Sequence, residues 1–403
     1  MNTDMRKRNE ALKYHREKRG WSQQKVAELV ETGEDMVGRW ERGISKPSPF
    51  YRERLCTLFG VNAEELGFLE QTTHFAPFQK GNPNPTRPPH GAITTSPYFS
   101  FGHLQTTWIV VDGDGTEEYK QNNIRTHFEP QPDTLPDDLA ARREHIQRQQ
   151  EENRQHGRPF QWNGERYSFD RFIISRSPTE EENMLDLWFK PSDYYTFLAT
   201  NQSLKEESLR EKYLKEADWQ SPVRFFSNSF GVSLVVITSD HHTVFTQRGK
   251  SLGSRPGEYN ISVSEGLSKS LDHNAHGQAP DIFHCASRGI TEELGLCQPE
   301  DFKSSDILLL SLGVDTLYSL WGLRGMVKIN QTIEEVTKRW NSGVKDKLEN
   351  ARIHPIKFDL NTIVPFVFSH DPWTPSALVC LYHTLVHEFG RKNVDEAIGR
   401  YCQ

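Results

Sequence analysis

Residues 285–296 read CASRGITEELGL, with Glu292 and Glu293 side by side just ahead of a glycine stop at Gly295. On a helix, positions 289, 292 and 293 are related as i, i+3 and i+4. Side chains there leave one patch together, and carboxylates so placed suit a hard divalent cation. The third position is Gly289, which brings no ligand. A second set, Asp272, His273, His276 and His284, combines imidazole and carboxylate as a transition-metal site would; the plainer reading is an exposed polar loop. Trp321 and Tyr259 offer faces for stacking on a nucleotide base, although aromatic residues on strands are first of all core. No G-x-S-x-G elbow, Walker loop or dinucleotide fingerprint accompanies them, so serine-nucleophile and P-loop chemistry have no support.

The elements that must position these residues are legible around them. Ile282, Ala286, Ile290 and Leu294 recur every four residues, an apolar stripe that packs the glutamate-bearing helix on a sheet. Upstream, SFGVSLVVITSD and TVFTQRG are β-rich runs joined at Asp240–His242, a hairpin signal. Further strands are expected at DILLLSLGV and YSLWGLRGMVKI, and helices at TIEEVTKRW and SALVCLYHTLVHEFG. Between residues 101 and 225 the pattern mixes strands (WIVVDGDG, RYSFDRFIISRS, LDLWFKP) with a polar surface helix near residue 145 and another at NQSLKEESLREKYLKEADW. Residues 71–100 are crowded with Pro, Gly and Thr and read as a semi-rigid linker.

At 403 residues the chain is long enough for two or three domains. Forty-eight Lys and Arg against 55 Asp and Glu leave a net charge of -7, so no overall positive field marks nucleic acid or acidic lipid as a partner. Five scattered cysteines without a C-x-x-C pair argue against a disulfide framework and a zinc knuckle, and suit a reducing cytoplasm. No run approaches the roughly 18 apolar residues of a membrane span. The expectation is a cytoplasmic protein with no membrane partner.

Residues 1–70 pack helix stops and starts at short intervals: Gly20 then Ser22, Gly43, then Ser48 before Pro49. Leu12, Val26, Ala27, Val30, Val37, Trp40, Leu55, Leu58 and Leu66 recur at helical spacing and would form one small core. Arg16, Ser22-Gln23-Gln24, Val26-Ala27, Trp40-Glu41-Arg42-Gly43, Pro47 and Leu58-Phe59-Gly60-Val61 resemble the Cro/repressor-type (XRE-like) helix-turn-helix domain over residues 8–68. The resemblance implies double-stranded DNA as partner. It places a third helix, about Glu34 to Arg42, in the major groove, with Gln23 and Gln24 near the backbone and Arg39 and Arg42 supplying charge. Glu34 and Asp35 stand where small polar or basic residues usually face DNA. They either complement the helix dipole or accept from a cytosine amine. Basic and acidic residues nearly balance in this head, so affinity is expected to depend on a homodimer.

Arg288, Ile290, Glu292, Glu293, Gly295 and Leu296 resemble the second half of the Nudix box, G-x5-E-x7-R-E-U-x-E-E-x-G-U, with Gly289 replacing the glutamate after the arginine. Gly266 matches the box glycine, Leu271–Gln278 reads as an insertion, and Pro280 takes the place of the upstream glutamate. The resemblance, over about residues 228–350, implies magnesium ligation by Glu292 and Glu293 and a structural ion pair for Arg288. Glu265, beside Gly266, is the candidate to restore a third carboxylate, and otherwise a solvated loop acid. The expected architecture is multi-domain: an all-α helix-turn-helix bundle (1–70), a linker (71–100), an α/β segment of unreadable role (101–225) and a Nudix-like α/β/α sandwich (226–403). The first functional expectation is a sequence-specific DNA-binding transcriptional regulator whose Nudix-like domain senses a nucleotide-type metabolite. The alternatives are a magnesium-dependent hydrolase of nucleoside diphosphate derivatives, with Glu293 and Glu292 catalytic, and an interaction module without chemistry.

Overall fold

The computed structural model describes residues 9–59, 61, 66–68, 97–177, 182–215, 217–249, 255–274, 279–344 and 350–401. The expected linker lies almost wholly outside them, as does His276. The chain divides into two compact units, one containing the N-terminal head and the other residues 97–173 with 183–403.

The head holds α1 (Glu10–Glu17), α2 (Gln23–Val30), α3 (Glu34–Glu41) and α4 (Pro49–Phe59). Its boundaries follow the local chemistry. The Asn9 side chain accepts from the Leu12 amide at 3.0 Å, and Ser22 Oγ accepts from the Lys25 amide at 3.0 Å, so α1 and α2 each start at a side-chain cap. Leu12, Val26, Ala27, Val30, Val37, Trp40, Leu55, Phe59 and Leu66 form one core. Leu58, expected inside, is only partly buried, and its neighbour Phe59 takes the interior position.

The second unit opens with three short strands, β1 (Ser100–Phe101), β2 (Leu104–Gln105) and β3 (Trp108–Asp112). Then come β4 (Ile124–Phe128), α5 (Asp137–Gln155), β5 (Glu165–Arg176) and β6 (Asn183–Asp193), with the strands ordered β4-β6-β5 in a small sheet. The helix expected at Asn201–Trp219 is broken. α6 (Tyr194–Ala199) stops before Thr200, whose hydroxyl turns back to the Thr196 carbonyl at 2.7 Å, and α7 (Glu207–Leu214) follows a short 3-10 turn.

The main sheet is built from β7 (Phe230–Ile237), β8 (His242–Arg248), β9 (Tyr259–Asn260), β10 (Val263–Gly266), β11 (Ile307–Asp315), β12 (Leu320–Lys328) and β13 (Asn350–Lys357). Its path is β13-β8-β7-β12-β11-β3, with β10 paired to β7 and β9 to β8. β7 and β12 are parallel, while β11 runs antiparallel to both β12 and β3. Thus β3 extends the sheet made by residues after 226, and the segment 101–225 shares its architecture with them. The helices are α8 (Ile282–Leu294), α9 (Ile333–Ser342), α10 (Leu360–Ser369), α11 (Pro375–Phe389) and α12 (Arg391–Gly399). α8 packs on β7 and β10, and α11 on β7, β11 and β12. Val235 and Ile237 join the core under α11, and the alternate positions Val232, Leu234 and Val236 are buried as well, so both faces of β7 are covered. The result is a helical head followed by an α/β unit with mixed sheets.

Candidate functional site

In the head, α3 leaves Glu34, Asp35 and Arg42 exposed and Arg39 partly buried; Gln24 is exposed at the start of α2. Gln23 is spent differently from the expectation. Its amide nitrogen donates to Glu41 at 2.7 Å, and the same buried carboxylate accepts from Arg16 Nε at 2.5 Å and Arg16 Nη2 at 2.9 Å. A Cβ at Gly38 would stand 3.1 Å from Gln23 Oε1, so the glycine lets α2 and α3 approach at this network. Arg16, Gln23 and Glu41 therefore fix the angle between the two helices. Gln24, Glu34, Asp35 and Arg42 remain at the surface, where a duplex can reach them.

On α8, a carboxylate cap begins the helix: Asp281 Oδ1 accepts from the Phe283 and His284 amides at 3.0 and 2.9 Å. Gly295, at φ 72, ends it in the left-handed conformation that glycine adopts without a Cβ penalty. Arg288 is the hub. It bonds Asp272 through Nε at 2.9 Å and Nη2 at 2.6 Å, and its Nη1 lies 3.1 Å from Glu265 and 3.2 Å from Glu292. Glu293 is buried and accepts from the Ser264 amide at 2.8 Å, tying α8 to β10. Glu265 does approach the helix. A Cβ at Gly289 would meet Glu265 Cβ at 2.7 Å and Val263 Cγ1 at 2.9 Å, so the side chain arriving from β10 occupies the space a residue at 289 would need.

The electrostatics follow from this crowding. Burial pushes the Glu265 carboxyl up to about 7, against the opposing charge of Arg288. Burial also acts to raise Asp272, but the Arg288 and Ser268 hydrogen bonds outweigh it and hold Asp272 below the ordinary carboxylate range. The fit of a magnesium ion is poor. Its three candidate ligands are two carboxylates paired with Arg288, Glu265 and Glu292, and one bound to backbone, Glu293. Among the described residues, no group of three or more His, Cys, Asp and Glu is arranged to hold a metal. His284 Nδ1 stands 3.1 Å from Asp272, and His273 Nδ1 lies 3.4 Å from the Asn274 carbonyl.

Beside this patch lies a cavity of about 240 Å³ whose charged lining is Arg248, Arg255, Arg324, Glu265 and Asp315. Asp315 accepts from Thr107 Oγ1 at 2.6 Å and pairs with Arg255 at 2.6 Å. Arg324, 5% exposed, projects from the middle of β12; its Nη1 donates to the Leu323 carbonyl at 2.8 Å, and its Cζ sits 4.2 Å from the Trp108 ring centroid. Burial lowers its pKa to about 10, leaving it charged at neutral pH. Its Nε finds no acceptor. Trp321 lines the cavity but is almost wholly buried against Phe169 and Phe172, while Tyr259 is packed among His354, Phe366, His370 and Trp373. Arg324 and Trp108 did not stand out from motifs, and Asp272 stood out beside His273, His276 and His284 rather than as a partner of Arg288. Arg324 left one signal, a lone charge inside the apolar run LWGLRGMVK.

Residues 12–66 match the family model described as "Helix-turn-helix", which supports a DNA-binding regulator. No curated protein matches the chain. Among solved structures, DR0079 from Deinococcus radiodurans is similar with a TM-score of 0.26 at 9% identity, over 41% of this chain and 82% of that one. A MutT protein from Methanosarcina mazei Go1 is similar with a TM-score of 0.25 at 9% identity, over 42% of this chain and 94% of that one.

Proposed function

We propose that the protein is a sequence-specific regulator of transcription that binds double-stranded DNA through its head as a homodimer and senses a nucleotide-type metabolite with its α/β unit. The observation that carries the reading is the helix-turn-helix match over residues 12–66, together with an α3 whose Glu34, Asp35 and Arg42 stay exposed. In this reading Gln24 bonds the DNA backbone, Arg39 and Arg42 supply positive charge, and Glu34 and Asp35 reject some bases and accept from cytosine. Gln23 acts indirectly by holding α2 against Glu41. Ligand changes DNA affinity only insofar as it distinguishes the DNA-competent arrangement from the other.

Magnesium-dependent hydrolysis at Glu292 and Glu293 is the weaker reading, because Arg288 already holds the position between Glu265 and Glu292. A gel-shift series with the full chain and the region upstream of its own coding sequence tests the proposal. Sequence-preferring binding that drops at least tenfold in Arg42→Ala is expected. Equal affinity for unrelated duplexes at modest salt would sink it.

A further inference from the structure

We infer that the cavity at Arg324 binds a small planar organic acid, an aromatic or heteroaromatic monocarboxylate, through the Arg324 guanidinium. This goes beyond the nucleotide-type ligand proposed above by assigning this cavity a carboxylate, and it rests on that reading only for its regulatory meaning. Among the described residues, the lining carries three guanidinium groups and two carboxylates. Asp315 is engaged by Arg255 and Thr107, and Glu265 by Arg288, so no carboxylate among the described residues forms an ion pair with Arg324. A buried cation without a counter-ion is costly, and one carbonyl and one indole face compensate only part of that cost.

The ligand's form follows from the donors and walls. Guanidinium presents a flat fork that matches a carboxylate, and the Leu323 carbonyl takes only the Nη1 of Arg324. Phe230, Val232, Leu320 and Trp321 give the wall an apolar side that suits an unsaturated ring, and Ser233, Asn260, Ser264 and Thr374 give it a polar one. The cavity of about 240 Å³ has room for a ring acid. The space is kept by Gly322, where a Cβ would come within 2.1 Å of the Gly231 carbonyl and 3.0 Å of Arg324 Nη1.

Calorimetric titration of the full chain with nicotinate, benzoate, nicotinamide, inorganic phosphate and uridine monophosphate tests the inference. One-site binding of a carboxylate is expected, with the neutral amide at least tenfold weaker. Arg324→Lys, which keeps charge but loses the fork, is expected to weaken the carboxylate at least tenfold. Arg324→Met is expected to abolish binding while raising the ligand-free melting temperature, because it removes an uncompensated charge. The inference is overturned if neither carboxylate saturates, if the amide or a phosphate binds as tightly, if Arg324→Lys binds unchanged, or if Arg324→Met lowers the melting temperature. Gel shifts on the same preparations separate the two claims. Carboxylate binding without DNA binding removes only the regulatory reading, and DNA binding without carboxylate binding removes only this one.

Discussion

Two arginines of the α/β unit are held in opposite ways. Arg288 on α8 is surrounded by Asp272, Glu265 and Glu292, whereas Arg324 on β12 has a carbonyl, an indole ring and a cavity. The first arrangement spends its charges on joining α8 to β10 and the loop that carries Asp272. The second leaves a charge unspent. A cluster rich in carboxylates thus reads as structural once its cation is found, and a buried cation without an ion pair beside a cavity reads as a binding group.

The largest test of this contrast is Asp272→Asn. The carboxylate is fully buried and takes two bonds from Arg288, so removing its charge is expected to cost about 3–5 kcal/mol, measured by denaturant unfolding. A loss below about 1 kcal/mol would dissolve the distinction between the two arginines. Next comes Gly289→Glu, which restores the box glutamate. Overpacking against Glu265 and Val263 is expected to cost about 1–3 kcal/mol, with part of the loss recovered in the double variant with Glu265→Ala. Strict additivity of the two changes would show that the side chains do not compete for one space.

The smallest effect is a pH dependence. Glu265, raised to about 7, faces Arg288 and Glu292 from α8 and shares the cavity with Arg248, Arg255, Asp315 and Arg324. Its folded pKa lies above its unfolded one. Protonation therefore favours the fold, and that contribution, complete below about pH 4, is lost as pH rises through 7. In the cavity the same ionisation adds a negative charge. Affinity for an organic anion is expected to fall by about tenfold, or ~1.4 kcal/mol, between pH 6 and 8, and Glu265→Gln is expected to flatten the profile. A flat wild-type profile would separate Glu265 from the cavity.

What was legible in the sequence followed from local rules. The Ser22 cap, the Pro49 start and the apolar stripe of α8 all appear where spacing placed them, because caps and periodicity act within a few residues. The Arg288–Glu292 pair is of the same kind, since it joins residues one helical turn apart. Asp272 escaped notice as the stronger partner of Arg288 because sixteen residues separate them, and only the fold brings them together. Gly289 looked like a missing ligand and is a site of close approach, a property of the strand facing it rather than of its own helix. Trp108 lies more than two hundred positions before Arg324, so no pattern in either segment announces their contact.

The edge strand β3 has a practical consequence for anyone dividing the chain. A fragment starting at residue 226 would retain β11 but lose the strand that pairs with Leu312–Asp315, along with the indole beneath Arg324. Its backbone amides and carbonyls would then lie open along an apolar strand, ready to pair with the same strand of a neighbour. Such a piece is expected to aggregate where a fragment beginning at residue 97 stays dispersed.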